Sequence, residues 1–268
     1  MKRLYMRAGR SGTAAALAGA LALVAFTAPV AEASDTGITV KNLVINNGKP
    51  IIVGTKAEVT PDFTFNVSKP SGYSYSEIDA FPFLYHDVTA AQGAEKGGIY
   101  TGSVTFYDNG FADGELYIDP PYRLDSNKDA TTWKIAVSAR TWGSDGQPDA
   151  EEYLTGFGSI PVKRRATATV NASPEPVAKG ATITVKGSAK RADWVKHTYV
   201  GFPGKLAKLQ FRQAGTRTYK TVKYVRASSA GYLKTTVTAS ADGYWRWAFG
   251  ETATTGGAKA KGDYVDVT

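Results

Sequence analysis

The stretch GYWRWAFG, Gly243 to Gly250, places Trp245, Trp247 and Phe249 at alternate positions, with Tyr244, Arg246 and Ala248 between them. Such alternation marks a strand, whose successive side chains point to opposite faces. One face then carries three large apolar rings. They either fill the space between two sheets or form a platform for a sugar ring or a base. A related stretch, WKIAV, runs from Trp133 to Val137. A Trp-x-x-Ala strand placed just before the last strand in each half of the chain reads as a requirement of the fold. A buried ring contributes ~1.5–3 kcal/mol. Trp133 and Trp245 are therefore assigned to the core, and Trp247 and Phe249 follow Trp245 inward by period 2.

Runs of the same character extend to both sides. Segments rich in Val, Ile, Thr, Tyr and Phe recur between clusters of Gly, Pro, Asn and Asp. In the first half they are ITVKNLVI, AEVTPDFTFNV, AFPFLYH, GSVTFY, GELYI, WKIAVSAR and GFGSIPV. The second half has ATATVNA, ATITVKGSA, AKLQFRQ, YKTVKYVRA, LKTTVTA, WRWAF and DYVDV. About seven short strands per half is the number expected of an immunoglobulin-like β-sandwich. Apolar stripes of period 3.6 are missing, so helix should be scarce. The fold class is all-β, with two tandem immunoglobulin-like β-sandwich domains.

The seam is VKRRATATVNASPEPVAKG, Val162 to Gly180, a basic run leading into a Pro-punctuated segment. The reading is residues 34–162 for the first domain and 163–268 for the second. PIIVGTKAEVT from Pro50 aligns with PVAKGATITVK from Pro176, each with Gly four residues after the Pro. The halves read as divergent copies of one sandwich, the first with longer loops.

Residues 1–33 read as a signal peptide. Lys2, Arg3, Arg7 and Arg10 precede an apolar run from Thr13 to Ala28, and Ala31 and Ala33 occupy the small-residue positions of a cleavage site. The apolar core is short for a spanning helix, which needs ~20 residues. No cysteine follows it to carry a lipid, and no later stretch is long enough to span a membrane. The mature chain is expected to be secreted and extracellular. It holds no cysteine, and both methionines, Met1 and Met6, fall in the signal segment. Stability must come from packing rather than disulfides.

Three longer strings in the second half, VNASPEPVAKGATITVKGSAKRADW, LQFRQAGTRTYKTVKYV and GYLKTTVTASADGYWRWAFGETAT, lead up to the closing GDYVDV. This half resembles the C-terminal Ig-like module of secreted actinobacterial proteins, some of them labelled calcium-binding. The first half resembles that family's N-terminal module more loosely. The resemblance implies the fold and export, and it carries over no catalytic or binding residue. Relatives hold a cysteine pair in the N-terminal module; this chain has none.

No catalytic motif stands out. The two histidines, His86 and His197, lie in no metal-binding spacing, and no G-x-S-x-G elbow or phosphate-binding glycine loop is present. A carboxylate-pair hydrolase leaves no linear signature and stays open as the least favoured reading. Asp125, Asn127 and Asp129 stand at positions 1, 3 and 5 of a calcium-type loop, but Ala130 replaces the turn glycine and Ala136 the bidentate Glu. These three are the candidate metal ligands, with Asp108, Asp113 and Glu115 as further carboxylates. The alternative for the loop is a polar turn feeding the Trp133 strand. A calcium-dependent structural or adhesion protein is thus a second reading, with Ca²⁺ as the one candidate cofactor.

Charge divides the chain more sharply. Residues 34–162 hold 9 Lys+Arg against 17 Asp+Glu, net −8, whereas residues 163–268 hold 19 against 6, net +13. An acidic domain is joined to a basic one, a pattern that favours contact with a charged polymer or surface. Period 2 puts Lys208 and Arg212 on one outer face. With Lys220, Lys223, Arg226 and Lys234 they are expected to form a cationic face for an anionic polysaccharide or cell-wall polymer. The competing reading is a solvated, lysine-rich surface that blunts edge strands. Nucleic acid is disfavoured, because exposed stacking aromatics are not evident from sequence. Oligomeric state is left open.

Overall fold

The computed structural model describes residues 35–268. The signal segment and its cleavage after Ala33 lie outside the described residues. Helix among those residues is limited to α1 (Ala90–Glu95), α2 (Pro120–Arg123) and two single 3-10 turns, and the rest is strand and loop. No described helix is long and apolar enough to cross a membrane.

The first half contains β1 (Thr39–Ile45), β2 (Ile51–Val53), β3 (Asp62–Ser68), β4 (Ile78–Tyr85), β5 (Ile99–Phe106), β6 (Phe111–Leu116), β7 (Thr132–Trp142), β8 (Pro148–Leu154) and β9 (Ser159–Arg164). One leaf runs β1-β3-β6-β5. The other runs β4-β7-β9-β2, with β8 also on β7. Only Phe83↔Tyr100 and Leu84↔Ile99 pair across the fold between leaves. β3 shows why the leaves close: Phe63, Phe65 and Val67 are buried while Asp62, Thr64, Asn66 and Ser68 are exposed. They pack with Trp133, Ile135 and Val137 of β7. Pro61 ends the longer strand read from sequence, since it supplies no ladder N–H. Val59 beyond it makes only an isolated bridge, to Ile118.

The second half contains β10 (Ala166–Ser173), β11 (Thr182–Asp193), β12 (Thr198–Gly201), β13 (Leu206–Gln213), β14 (Lys220–Arg226), β15 (Tyr232–Thr238), β16 (Gly243–Phe249), β17 (Ala258–Lys259) and β18 (Asp263–Val265). β11 is flanked by β10 on one side and by β15 and β12 on the other. The facing sheet runs β14-β13-β16, with β17 and β18 both on β16. Trp245, Trp247 and Phe249 of β16 lie in the core with Ile183, Val185, Leu209 and Leu233.

Both halves have the immunoglobulin arrangement, in which the second and fifth strands pair in one sheet and the third and sixth in the other. In each, the segment after the first strand also pairs in parallel with the last: Ile51↔Val162 in the first half and Val177↔Val267 in the second. These are the Pro-led segments that align in sequence. The copies differ at β12, which has no counterpart in the first half, and in the placing of one further strand. The first half places β5 beside β6, whereas the second places β14 beside β13 and so widens the sheet that carries β16.

The seam holds no loose linker. β9 ends at Arg164 and β10 begins at Ala166. Trp194, just past β11, is fully buried and packs with the first half's core. Its indole Nε1 donates to the Gly54 carbonyl at 2.8 Å, and its backbone N–H donates to Asn127 Oδ1 at 3.0 Å. The Arg165 guanidinium donates to the Ile52 carbonyl at 3.1 Å.

Candidate functional site

The outer face of β14-β13-β16-β18 brings basic and aromatic side chains together. On β13, Ala207 and Leu209 are buried, and Phe211 joins them against the core. Lys208, Gln210 and Arg212 therefore point outward. Their partners on β16 are Ala248, Arg246 and Tyr244, and cross-strand partners share a face. The polar half of GYWRWAFG thus lies on the surface while its rings fill the core.

Contacts on this face alternate cation and ring. Arg246 lies 3.6 Å from the Tyr219 ring centroid, and its Nε donates to Gln210 Oε1 at 2.9 Å. Arg212 stacks 4.0 Å from Tyr244 and 5.4 Å from Tyr219, and its Nη1 donates to the Thr216 carbonyl at 2.6 Å. Tyr244 contacts Tyr264 at 5.1 Å. Lys208 sits 6.0 Å from Tyr224, which is 57% exposed. Stacking fixes the long arginine side chains in advance, so less rotamer freedom is lost on binding. Gly262 makes room for the array, because a Cβ there would stand 2.2 Å from the Tyr219 hydroxyl.

The six cations named from sequence do not all share this face. Lys208 and Arg212 do. Arg226 lies opposite Leu206 at its end and donates from Nη1 to the Gly204 carbonyl at 3.3 Å. A register shift at Leu209/Gln210 changes the parity of β14. Lys223 stands opposite inward Leu209 in the regular register, and the shift puts Lys220 opposite inward Phe211, so both project over the sheet's open edge. Lys234 belongs to the other sheet, where it faces Lys186 of β11. β14 is the edge strand of its sheet, and β15 pairs with β11 in the opposite sheet, so the single cationic face expected of all six is not formed. Tyr219, Tyr224 and Tyr264 are absent from the sequence reading, which places Arg246 and Tyr244 only between the rings of GYWRWAFG. Alternation in GYWRWAFG carried a signal for Tyr244 and Arg246. Tyr219 lies just before β14 and carried none.

The calcium-type loop is occupied with structural work. Asn127 Oδ1 accepts from Trp194, and Asp129 Oδ2 accepts from the Ser126 N–H at 3.1 Å. The Asp129 carbonyl accepts from Trp133 Nε1 at 2.8 Å. Asp129 Oδ1 stands 3.6 Å from His86 Nε2, and Asp125 is exposed to solvent. Burial holds the Asp129 carboxyl above the usual carboxylate range, against the Ser126 hydrogen bond and the nearby His86. Among the described residues no three His, Cys, Asp or Glu side chains gather to hold a metal. Asp113 accepts from the Tyr107 hydroxyl at 3.2 Å. An open depression of about 490 Å³ beside this loop is lined by His86, Asp87, Thr89, Gln92 and Lys134, with Asp87 its one carboxylate.

No protein-family model matches the chain. No curated protein matches it either. Solved structures overlap it loosely. The fibronectin(III)-like modules of Clostridium thermocellum CbhA give 14% identity and a TM-score of 0.28, over 84% of this chain and 92% of theirs. The D0-D1 domain of intimin gives 15% and 0.26, over 84% and 98%. The ectodomain of mouse nectin-like molecule 4 gives 14% and 0.25, over 84% and 63%.

Proposed function

We propose that the chain is a secreted, non-enzymatic binding protein that holds an anionic extracellular or cell-wall polymer on the outer face of β14-β13-β16-β18. The observation that carries this reading is the stacked array of Arg212, Arg246 and Lys208 with Tyr219, Tyr244 and Tyr224. Guanidinium forks suit carboxylate and phosphate groups, and flanking rings offer flat apolar surface to sugars. Among the described residues, the ion pairs His86–Asp87, His86–Asp129, Arg140–Glu151 and Lys163–Glu251 leave this array aside. The acidic half therefore does not neutralise it through ion pairs.

Co-sedimentation of the mature protein with purified cell walls and insoluble anionic polysaccharide tests this. The protein should pellet at low salt and stay in solution at high salt, since the screening length falls from ~30 Å at 0.01 M to ~3 Å at 1 M. Arg212→Ala with Arg246→Ala should abolish pelleting, and Lys234→Ala, on the other sheet, should leave it intact. Pelleting of the double variant at wild-type levels rejects the assignment.

A further inference from the structure

The end of the second sandwich that meets the first half gathers cations with few acceptors. Arg164 is only 7% exposed. Its backbone is clamped by a loop: its N–H donates to the Thr254 carbonyl, and its carbonyl accepts from the Gly256 N–H, both at 3.0 Å. Arg191 pairs with Ala166, two residues beyond Arg164, and shares the inward side of β10 and β11. Its guanidinium lies 4.5 Å from the Phe202 ring, with Lys205 5.2 Å from the same ring.

Nε of Arg164 and Nε of Arg191 are buried with no hydrogen-bond partner, and so is the hydroxyl of Thr255, a residue 0% exposed. Nearby acids answer them only in part. Glu251 pairs with Lys163 at 3.1 Å. Asp193 forms an ion pair with neither arginine, and its Oδ1 accepts from the Lys196 N–H at 3.0 Å. Burial holds both arginines below their ordinary range; for Arg164 the charge of Arg191 adds to it, and the charge of Asp193 offsets part of it in each. Burial lowers Lys205 in the same way. Buried donors without acceptors are costly, and adjacent like charges add to the cost.

We infer that this mouth is an anion site, in which Arg164, Arg191 and the Thr255 hydroxyl hold an oxyanion of the phosphate class. One such group would accept from both guanidinium forks and from the hydroxyl while offsetting the excess positive charge. Arg191 and Lys205 are half-buried, so solvent reaches the rim of the cluster through them. The site is separate from the outer face of β14-β13-β16-β18 and does not depend on it.

The test is thermal melting of the mature chain in sodium phosphate against sodium chloride at matched ionic strength, with equilibrium dialysis for stoichiometry. A saturable rise of roughly 3–5 °C is expected, with one phosphate bound per chain. Arg191→Gln should abolish both. Without phosphate it should melt no lower than the parent, because one of two repelling charges is gone. A rise that never saturates and is equal in Arg191→Gln is the general effect of an excluded salt and overturns the inference, as does no rise at all. Should Arg191→Gln fail to fold, Thr255→Val removes only the hydroxyl. It should weaken phosphate binding about tenfold, and unchanged affinity overturns the inference. A parallel arm with glycerol 3-phosphate separates free phosphate from phosphate carried on a larger molecule.

Discussion

Asn127 and Asp129 show how one short polar string serves two neighbours. Asn127 accepts from Trp194 of the other half, and Asp129 closes its own turn on Ser126. Asn127→Ala should therefore lower stability by about 1–2 kcal/mol, the cost of stranding a buried donor, with or without calcium. Chemical denaturation with millimolar Ca²⁺ or with chelator checks this, and stabilisation of the parent by Ca²⁺ that the variant loses would favour a metal role. Asp129 also sets a pH dependence. Its carboxyl is raised in the folded state, chiefly by burial. The native chain then holds that proton to higher pH than the unfolded chain does. The contribution is favourable below the ordinary carboxylate range and is lost as pH rises through the raised value. Asp129→Asn should flatten this fall, so its melting temperature relative to the parent should climb as pH rises from the ordinary carboxylate range, near about 4, through the raised value.

Two glycines decide what their strands can carry. A Cβ at Gly187 of β11 would lie 2.1 Å from the Thr169 carbonyl and 2.6 Å from Trp247 Cδ1. Trp247 itself is fully buried, and its Nε1 donates to the Lys186 carbonyl at 3.2 Å. Gly187→Val should cost roughly 3 kcal/mol or more by overpacking this contact, measurable as a lower denaturant midpoint. Gly262 acts on the surface. Gly262→Ala pushes on the far end of Tyr219, so the ring must swing away from Arg246. Stability should change little, while polymer binding should fall several-fold. Equal binding by Gly262→Ala would mean that the Tyr219–Arg246 stack is not needed.

At the scale of the molecule, Trp194 joins two cores that the charge pattern separates. The fully buried indole packs with the first half while β11 belongs to the second. The halves should unfold in one calorimetric transition. Trp194→Ala should cost about 3–5 kcal/mol and split that transition in two. Two transitions in the parent would show that the junction does not couple the sandwiches.

Alternation determined the strands. Where one face is buried, period 2 is enforced by packing, so GYWRWAFG and DFTFNVS could be read directly. The repeated Trp and the Pro-led segments likewise reported the common sandwich, since each occupies a place the fold must fill. β2, β8, β12 and β17 escaped notice because short or half-exposed strands lack that periodic constraint. Which charges share a surface was decided only by tertiary structure. Strand pairing put Lys223 on the inward-facing side of the edge strand, a register shift put Lys220 there too, and sheet assignment sent Lys234 to the opposite face. The Trp194 contact and the Arg164–Arg191 mouth likewise arise from residues far apart in the chain. Local pattern specifies which way a side chain points from its own strand; only the pairing of strands specifies what it meets.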